Sequence, residues 1–392
     1  MGAAVRRCYF DHNSTTPVDT RVLDAMLPHF GEVFGNASSL HAFGQKARLG
    51  VETARRQVAA QLDCQARDVV FTSGGTEADN LAVFGTVRAS AQPTRHVITS
   101  QIEHPAVLNA CQQLETEGVD VTYLSAGMNG LVSPSEVRSA LRPDTVLITV
   151  MHANNELGTL QPIAEIGGIA KAAGVPLHTD GVQSFGKVPS SVDELGVDMF
   201  SLSAHKIHGP KGVGALYVRR GHQLCKVQYG GSHERDRRPG TENVPGIVGL
   251  GVAAKLAGRD RAAEAERVAS IRDRLERRVL DRIPAAYVHG AGSPRLPTTS
   301  SIHFEHVEAE PMLIALDLEG FAVSSGAACS SGTVEPSHVL LAIGLSRRQA
   351  KSTLRFSLGR RTDAAEVDAL VDALEAIVDR LRTLSPAWAA AS

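Results

Sequence analysis

Lys206 stands in SAHKIHGPKG, flanked by His205 and His208 in a turn rich in glycine and proline. Such a lysine can be a plain surface charge, but one desolvated near other cations has a lowered pKa and becomes an amine nucleophile toward carbonyls. FTSGGTEADN carries Ser73, Gly74, Gly75 and Thr76 from a strand-type run into a helix-type one. Glycines there let backbone N–H groups approach an anion and the helix start favours negative charge, although a strand-Gly-Gly-helix turn is also an ordinary connection. It matches neither the Walker pattern nor G-x-G-x-x-G. HTDGVQSFG delivers Asp180 and Gln183 after another run; the carboxylate either caps the next helix or holds a cationic ring nitrogen. His104 precedes Pro105, which is suited to open a helix, so it is a cap, a solvent-facing residue or a ligand at the carboxyl end of a sheet. A Schiff-base lysine, a carboxylate for a pyridinium nitrogen and a phosphate cup together describe a pyridoxal phosphate site. Cys329, in VSSGAACSSGT, is different again. Its Gly, Ala and Ser neighbours offer no packing, which fits either a solvated turn or a nucleophile on a loop, and no His or Lys beside it in sequence activates it.

These groups need a frame that delivers them to one place. Between residues 69 and 218 the runs DVVFT, HVITS, TVLITVM, VPLHTD, DMFSLS and GVGALYV alternate with helix-type segments. That is the pattern of an α/β protein with a mainly parallel sheet, and the weak in-run alternation suits strands covered on both faces. After residue 258 the texture changes. EAERVASIRDRLERRVLDRI puts Val268, Ile271, Leu275, Val279 and Ile283 on one helical face before Pro284, and a last amphipathic helix opens with Asp363 and Glu366 in D-x-x-E spacing. The reading is a large α/β domain over residues 15–257 and a smaller α+β domain made of 1–14 and 258–392.

The 392 residues include 40 Lys plus Arg against 42 Asp plus Glu, a formal charge of -2 that supplies no global field for nucleic acid or an anionic membrane. Five cysteines, Cys8, Cys64, Cys111, Cys225 and Cys329, are widely spread and never spaced C-x-x-C. This argues against a disulfide framework or a cysteine-rich zinc site, and fits a reducing compartment. With no apolar leader and no run long enough to span a bilayer, the expected location is the cytoplasm.

The motifs YFDHNSTTPVD, FGNASSLHAFG, FTSGGTEADN, EHPAV, HANNELGTLQPI, HTDGVQSFGKV, SAHKIHGPKGVGALYVRRG, GGSHERDRRPGTEN, SSGAACSSGTVEPSHV and LRFSLGR, in order along nearly the whole chain, resemble the cysteine desulfurases of the NifS and IscS type. These are fold-type I pyridoxal phosphate enzymes of the class V aminotransferase group. The resemblance implies a seven-stranded-type sheet in the large domain and the persulfide cysteine, Cys329, on a loop of the small one. It implies that Lys206 binds pyridoxal 5'-phosphate covalently, that Asp180 pairs with the ring nitrogen, and that His104 stacks on the ring and takes part in proton transfers. Gln183 falls at the phenolic oxygen and Gly75, Thr76, Ser203 and His205 at the phosphate; Asn155 and Arg355 fall at the substrate carboxylate, where an arginine fork is chemically apt.

Thr241 matches a residue that reaches the neighbouring subunit's phosphate, which implies a homodimer. The implied reaction takes L-cysteine to L-alanine, with a persulfide on Cys329 handed to a protein acceptor such as an iron-sulfur scaffold or another sulfur carrier. The loose setting of Cys329 then supplies the reach such a relay needs. Two positions depart from the family pattern: Ala327 stands where many members have Ser, and Ser14 where Ala is frequent. A selenocysteine lyase or another class V enzyme on the same scaffold is the nearest alternative, and a sulfur-relay scaffold with secondary catalysis is another. Retention of Lys206, Asp180 and Cys329 speaks against the latter.

Overall fold

The computed structural model describes residues 7–326, 335–384 and 388. The strands, in chain order, are β1 (Cys8–Tyr9), β2 (Val69–Thr72), β3 (His96–Ser100), β4 (Asp120–Leu124), β5 (Thr145–Thr149), β6 (Leu177–Asp180), β7 (Met199–Ser203), β8 (Gly214–Val218), β9 (Ala286–Val288), β10 (Thr299–Phe304), β11 (Phe321–Ala322) and β12 (Thr353–Ser357). Seven form the main sheet in the order β2-β8-β7-β6-β5-β3-β4. All neighbours pair in parallel except β8, which runs against both β2 and β7. The mixed α/β frame expected from the sequence is therefore present, with β4 as an edge strand.

Alternate residues of one strand feed opposite cores. Val69 and Phe71 of β2 join a cluster with Val51, Val58, Leu250 and Ala254, while Val70 packs with Leu81, Val83, Val107 and Leu114 on the other face. Burial on both faces is what makes such strands read as continuous apolar runs. A third cluster gathers Phe10, Ile302, Phe304, Leu354 and Phe356 with Leu370, Leu374 and Val378 of the last helix. Its strands form the antiparallel sheet β12-β10-β9, and β1 pairs in parallel with β11.

One helix ties these cores together. Val244–Arg282 contributes Ile247, Leu250 and Ala254 to the first cluster and Val268, Leu275 and Val279 to the third. The periodic pattern in the sequence shows only its second half. The first half carries Gly249 and Gly251, which lower helix propensity by about 1 kcal/mol each relative to alanine. Their function is close approach: a Cβ on Gly251 would meet Ala54 Cα at 2.5 Å, and one on Gly249 would meet Met26 Sδ at 2.7 Å. The last helix begins with the expected capping box, Asp363 and Glu366 each accepting the other's backbone N–H.

Candidate active site

The carboxyl ends of the parallel strands deliver side chains to one cleft of about 330 Å³, lined among others by Gly75, Thr76, His104, Asn155, Asp180, Gln183, Ser203, His205, Lys206 and Arg355. This is the end of an open α/β sheet at which ligands bind. Asp180 is the last residue of β6, and Lys206 closes a short 3-10 turn directly after β7. Thr241 is exposed and does not line the cleft. Cys329 and Ala327 lie outside the described residues.

Residues 11–16 bind the two halves of the cleft together. The Asn13 side chain donates to Asn155 O at 3.0 Å and to Thr299 Oγ1 at 2.9 Å. Its backbone carbonyl accepts from Lys206 Nζ at 2.6 Å and from Gln183 Nε2 at 2.9 Å. Lys206 also donates to Ser14 O at 2.9 Å. Burial, together with the Arg355 charge, lowers the Lys206 pKa to about 8, with Asp180 and Asp11 pulling the other way. A substantial share of this amine is therefore neutral near physiological pH, as a nucleophile toward carbonyls requires.

Asp180 is buried, and its Oδ1 accepts the Val182 N–H at 2.9 Å. Burial raises its pKa, while His104 and Lys206 act in the opposite sense. His104 caps the helix Pro105–Thr116, its Nδ1 accepting from Ala106 N at 3.1 Å. The capping reading of His104 and its place in the cleft thus hold together, because the cap uses only one ring nitrogen. Burial lowers its pKa, helped by Lys206 and His338 and opposed by Asp180.

The helix Gly75–Ala89 opens with no side-chain cap, and its first two residues, Gly75 and Thr76, line the cleft with Ser203 and His205. Uncapped N–H groups at a helix start form a ready anion site. Gly75 is needed for its shape, since a Cβ there would lie 2.7 Å from Val182 Cγ2.

Arg355 is buried and more heavily engaged than its motif shows. Nη2 pairs with Asp11 at 2.7 Å and donates to Ser14 Oγ at 2.9 Å, and Nη1 donates to Asn155 O at 3.0 Å. Pairing with an internal carboxylate, the plainer alternative for such an arginine, is realised here without removing Arg355 from the cleft. Buried atoms without a hydrogen-bond partner among the described residues also gather at this site: Asn13 Oδ1, Asp79 Oδ1 and Arg355 Nε. Native interiors rarely leave such groups unpaired.

Asn13, Asp79, Met151, Val182 and Ser324 line the cleft as well, and sequence reasoning assigned none of them a role. Asn13 and Asp79 fall inside motifs quoted for the resemblance, so the signal existed, but nothing local distinguishes them from caps.

The chain matches the aminotransferase class-V family over residues 8–370. It is 46% identical to cysteine desulfurase IscS of Dictyoglomus turgidum, over 97% of both chains. Among solved structures, a NifS-like protein superposes with a TM-score of 0.90 at 36% identity, covering 95% of this chain and all of that one. A second, described as SspA in complex with cysteine, gives 0.80 at 40% identity, over 89% and 98% of the two chains. The chain belongs to the class-V aminotransferase family.

Proposed function

We propose that this protein is a pyridoxal phosphate-dependent cysteine desulfurase, which removes sulfur from L-cysteine, releases L-alanine and carries the sulfur as a persulfide on Cys329. The observation that carries this reading is the convergence of Lys206, Asp180, His104 and an uncapped helix start on one cleft, joined to the near full-length likeness to proteins named cysteine desulfurase.

The residues present fit the cofactor. Its phosphate suits the start of Gly75–Ala89 with Thr76, Ser203 and His205, its ring nitrogen suits the Asp180 carboxylate, and its carbonyl suits Lys206. When bound, pyridoxal phosphate supplies a carbonyl that condenses with amines and a ring that draws electrons from the substrate's α-carbon. Asp180 favours a protonated ring nitrogen by its charge. His104 would stack on the ring, and Gln183 would donate toward the phenolic oxygen. Asn155 and Arg355 receive the substrate carboxylate, for which Arg355 must share donors now given to Asp11 and Ser14. Lys206, whose neutral fraction is raised by its lowered pKa, would take the α-proton. The Cys329 thiolate would attack the substrate sulfur; the S–S bond forms as the C–S bond breaks, the C–S electron pair stays with the β-carbon, which takes up a proton, and the α-carbon regains its proton before alanine departs.

Further features support the setting. Leu23, Leu27, Phe30, Phe34, Phe43 and Leu49 are exposed on one stretch of the chain, with Phe30 and Phe34 at 65% and 66%. An apolar surface of this kind marks an association site. It suits a homodimer in which Thr241 reaches the partner's phosphate. The small domain consists of residues 1–14 and 258–392, and the acceptor of the sulfur is another protein. Cys64, Cys111 and Cys225 are free thiols, and no described helix is long and apolar enough to cross a membrane; both suit a cytoplasmic enzyme.

The test is Cys329→Ala in protein reconstituted with pyridoxal phosphate. Sulfide and alanine formation should stop while L-cysteine still changes the visible spectrum, and Lys206→Ala should lose both. Mass spectrometry of wild-type protein briefly exposed to L-cysteine should find one added sulfur on the Cys329 peptide. Retention of near-normal turnover by Cys329→Ala would favour direct release of the chalcogen, as in a selenocysteine lyase.

A further inference from the structure

Lys187 follows Gln183 by one turn, and its Nζ donates to Gln183 Oε1 at 2.9 Å. It lines a small cavity of about 50 Å³ behind Lys206, shared with His12, His208, Arg261, Glu264 and Arg360. Glu264 is the one carboxylate in that lining and is engaged by Arg360 Nε at 2.9 Å. Lys187 is therefore a half-buried amine held among cations, with no ion pair to a carboxylate among the described residues, a costly placement that calls for a purpose.

The chemistry of its contact supplies one. A lysine ammonium only donates, so the Gln183 atom facing it must be the carbonyl oxygen. That fixes the amide: Nε2 must point the other way, where it donates one hydrogen to Asn13 O at 2.9 Å. Its second hydrogen is left for the cleft that Gln183 lines. Rotating the amide by half a turn would set NH2 against NH3+ and carbonyl against carbonyl. The same Asn13 carbonyl accepts from Lys206, so Lys187, Gln183, Asn13 and Lys206 form one continuous hydrogen-bonded chain.

We infer that Lys187 is a positioning residue that locks the Gln183 amide with its N–H donor aimed at the phenolic oxygen of pyridoxal phosphate. The inference rests on the reading of the cleft given above. Burial and the charges of Lys206 and Arg355 lower the Lys187 pKa to about 7, against Glu264, which raises it. His12, His205 and His208 face the same cluster, each with a pKa lowered chiefly by burial. A neutral amine still donates, but it can also accept, so the lock loosens as Lys187 loses its proton.

A donor at the phenolic oxygen competes with the protonated imine nitrogen for that oxygen, so losing it raises the pH at which bound pyridoxal phosphate changes colour. In full-length protein, Lys187→Met should raise this midpoint by about one pH unit. The same variant should weaken pyridoxal phosphate binding to the stripped protein roughly tenfold, the scale of one misdirected hydrogen bond. Lys187→Arg keeps a donor and should restore both values to within about twofold or a few tenths of a unit.

A double-mutant cycle separates positioning from charge. If Lys187 acts through Gln183, adding Lys187→Met to Gln183→Ala shifts nothing further. Additive shifts would overturn the inference, since an electrostatic effect does not need the amide; so would a Lys187→Met spectrum and affinity matching the wild type. Wild-type protein that takes up no pyridoxal phosphate would overturn the underlying reading instead. Should Lys187→Met fold poorly, the Lys187→Ala variant, which also lacks a donor, carries the same cycle.

Discussion

Arg55 and Glu234 meet at the start of β2, and Lys206, Asp180 and Arg355 gather beyond its far end. Both groups place charge inside the protein, yet they are completed differently. Arg55 donates to both Glu234 oxygens at 2.7 and 2.8 Å and to Val69 O at 2.9 Å, and Glu234 also accepts the Phe71 N–H at 2.9 Å. Arg55 further lies over the Phe71 ring at 4.6 Å. Here the charges are satisfied by one another. The network also anchors a strained turn, because Glu234, Arg235 and Asp236 all have positive φ, at about 1–2 kcal/mol each for residues with a side chain. At the cleft, by contrast, Lys206 rests on backbone carbonyls and several buried polar atoms have no partner among the described residues. A completed network holds structure; an incomplete one leaves capacity for a ligand to use.

The largest effect expected of breaking this contrast is at Lys206. Lys206→Ala should lower alanine formation from L-cysteine by roughly 10^4-fold, with no loss in thermal midpoint, because the substitution removes a desolvated amine. A destabilised, partly active variant would place Lys206 with the structural charges. Arg55→Ala should do the reverse. It strands Glu234 and should cost about 3–5 kcal/mol in denaturant unfolding, with the visible spectrum of the folded fraction unchanged.

Asp180→Asn sharpens the distinction, since asparagine can still accept the Val182 N–H. We expect a wild-type unfolding curve and a fall in turnover of roughly 10^2-fold, the scale of one lost preorganised electrostatic partner. A large stability loss without a kinetic one would mean that Asp180 is chiefly a cap.

The smallest effect concerns pH. With a Lys206 pKa near 8, the neutral fraction grows as pH rises and saturates above that value. The rate of pyridoxal phosphate uptake by stripped protein should therefore climb about tenfold from pH 7 to 9 and then level off. A rise continuing past pH 10 would indicate an ordinary, solvated lysine.

Local pattern was sufficient for six strands of the main sheet and for the start of the last helix. The runs around Val69, His96, Thr145, Leu177, Met199 and Gly214 read as strands because two apolar cores cover them, and the start of the last helix was legible because Asp363 and Glu366 cap it through local bonds. β4, Asp120–Leu124, escaped notice as an edge strand whose first residue is exposed and whose middle is only half-buried. The glycine-rich first half of Val244–Arg282 escaped because its helical state depends on contact with Ala54 and Met26, distant in sequence.

The same division runs through the site. Residue types at strand ends and turns brought out Lys206, Asp180, His104, Gln183 and Thr76, whereas Ser203, His205, Asn155 and Arg355 were assigned only through the resemblance of their motifs to a known family. Only the tertiary structure decided that Asn13 lends one carbonyl to both Lys206 and Gln183, that Arg355 is shared by Asp11 and Ser14, and that Lys187 donates to Gln183 Oε1. The physical reason is that a motif fixes which groups a segment can offer, whereas hydrogen bonds between segments as far apart as residues 13 and 206 depend on how the backbone folds back on itself, information that no local window contains.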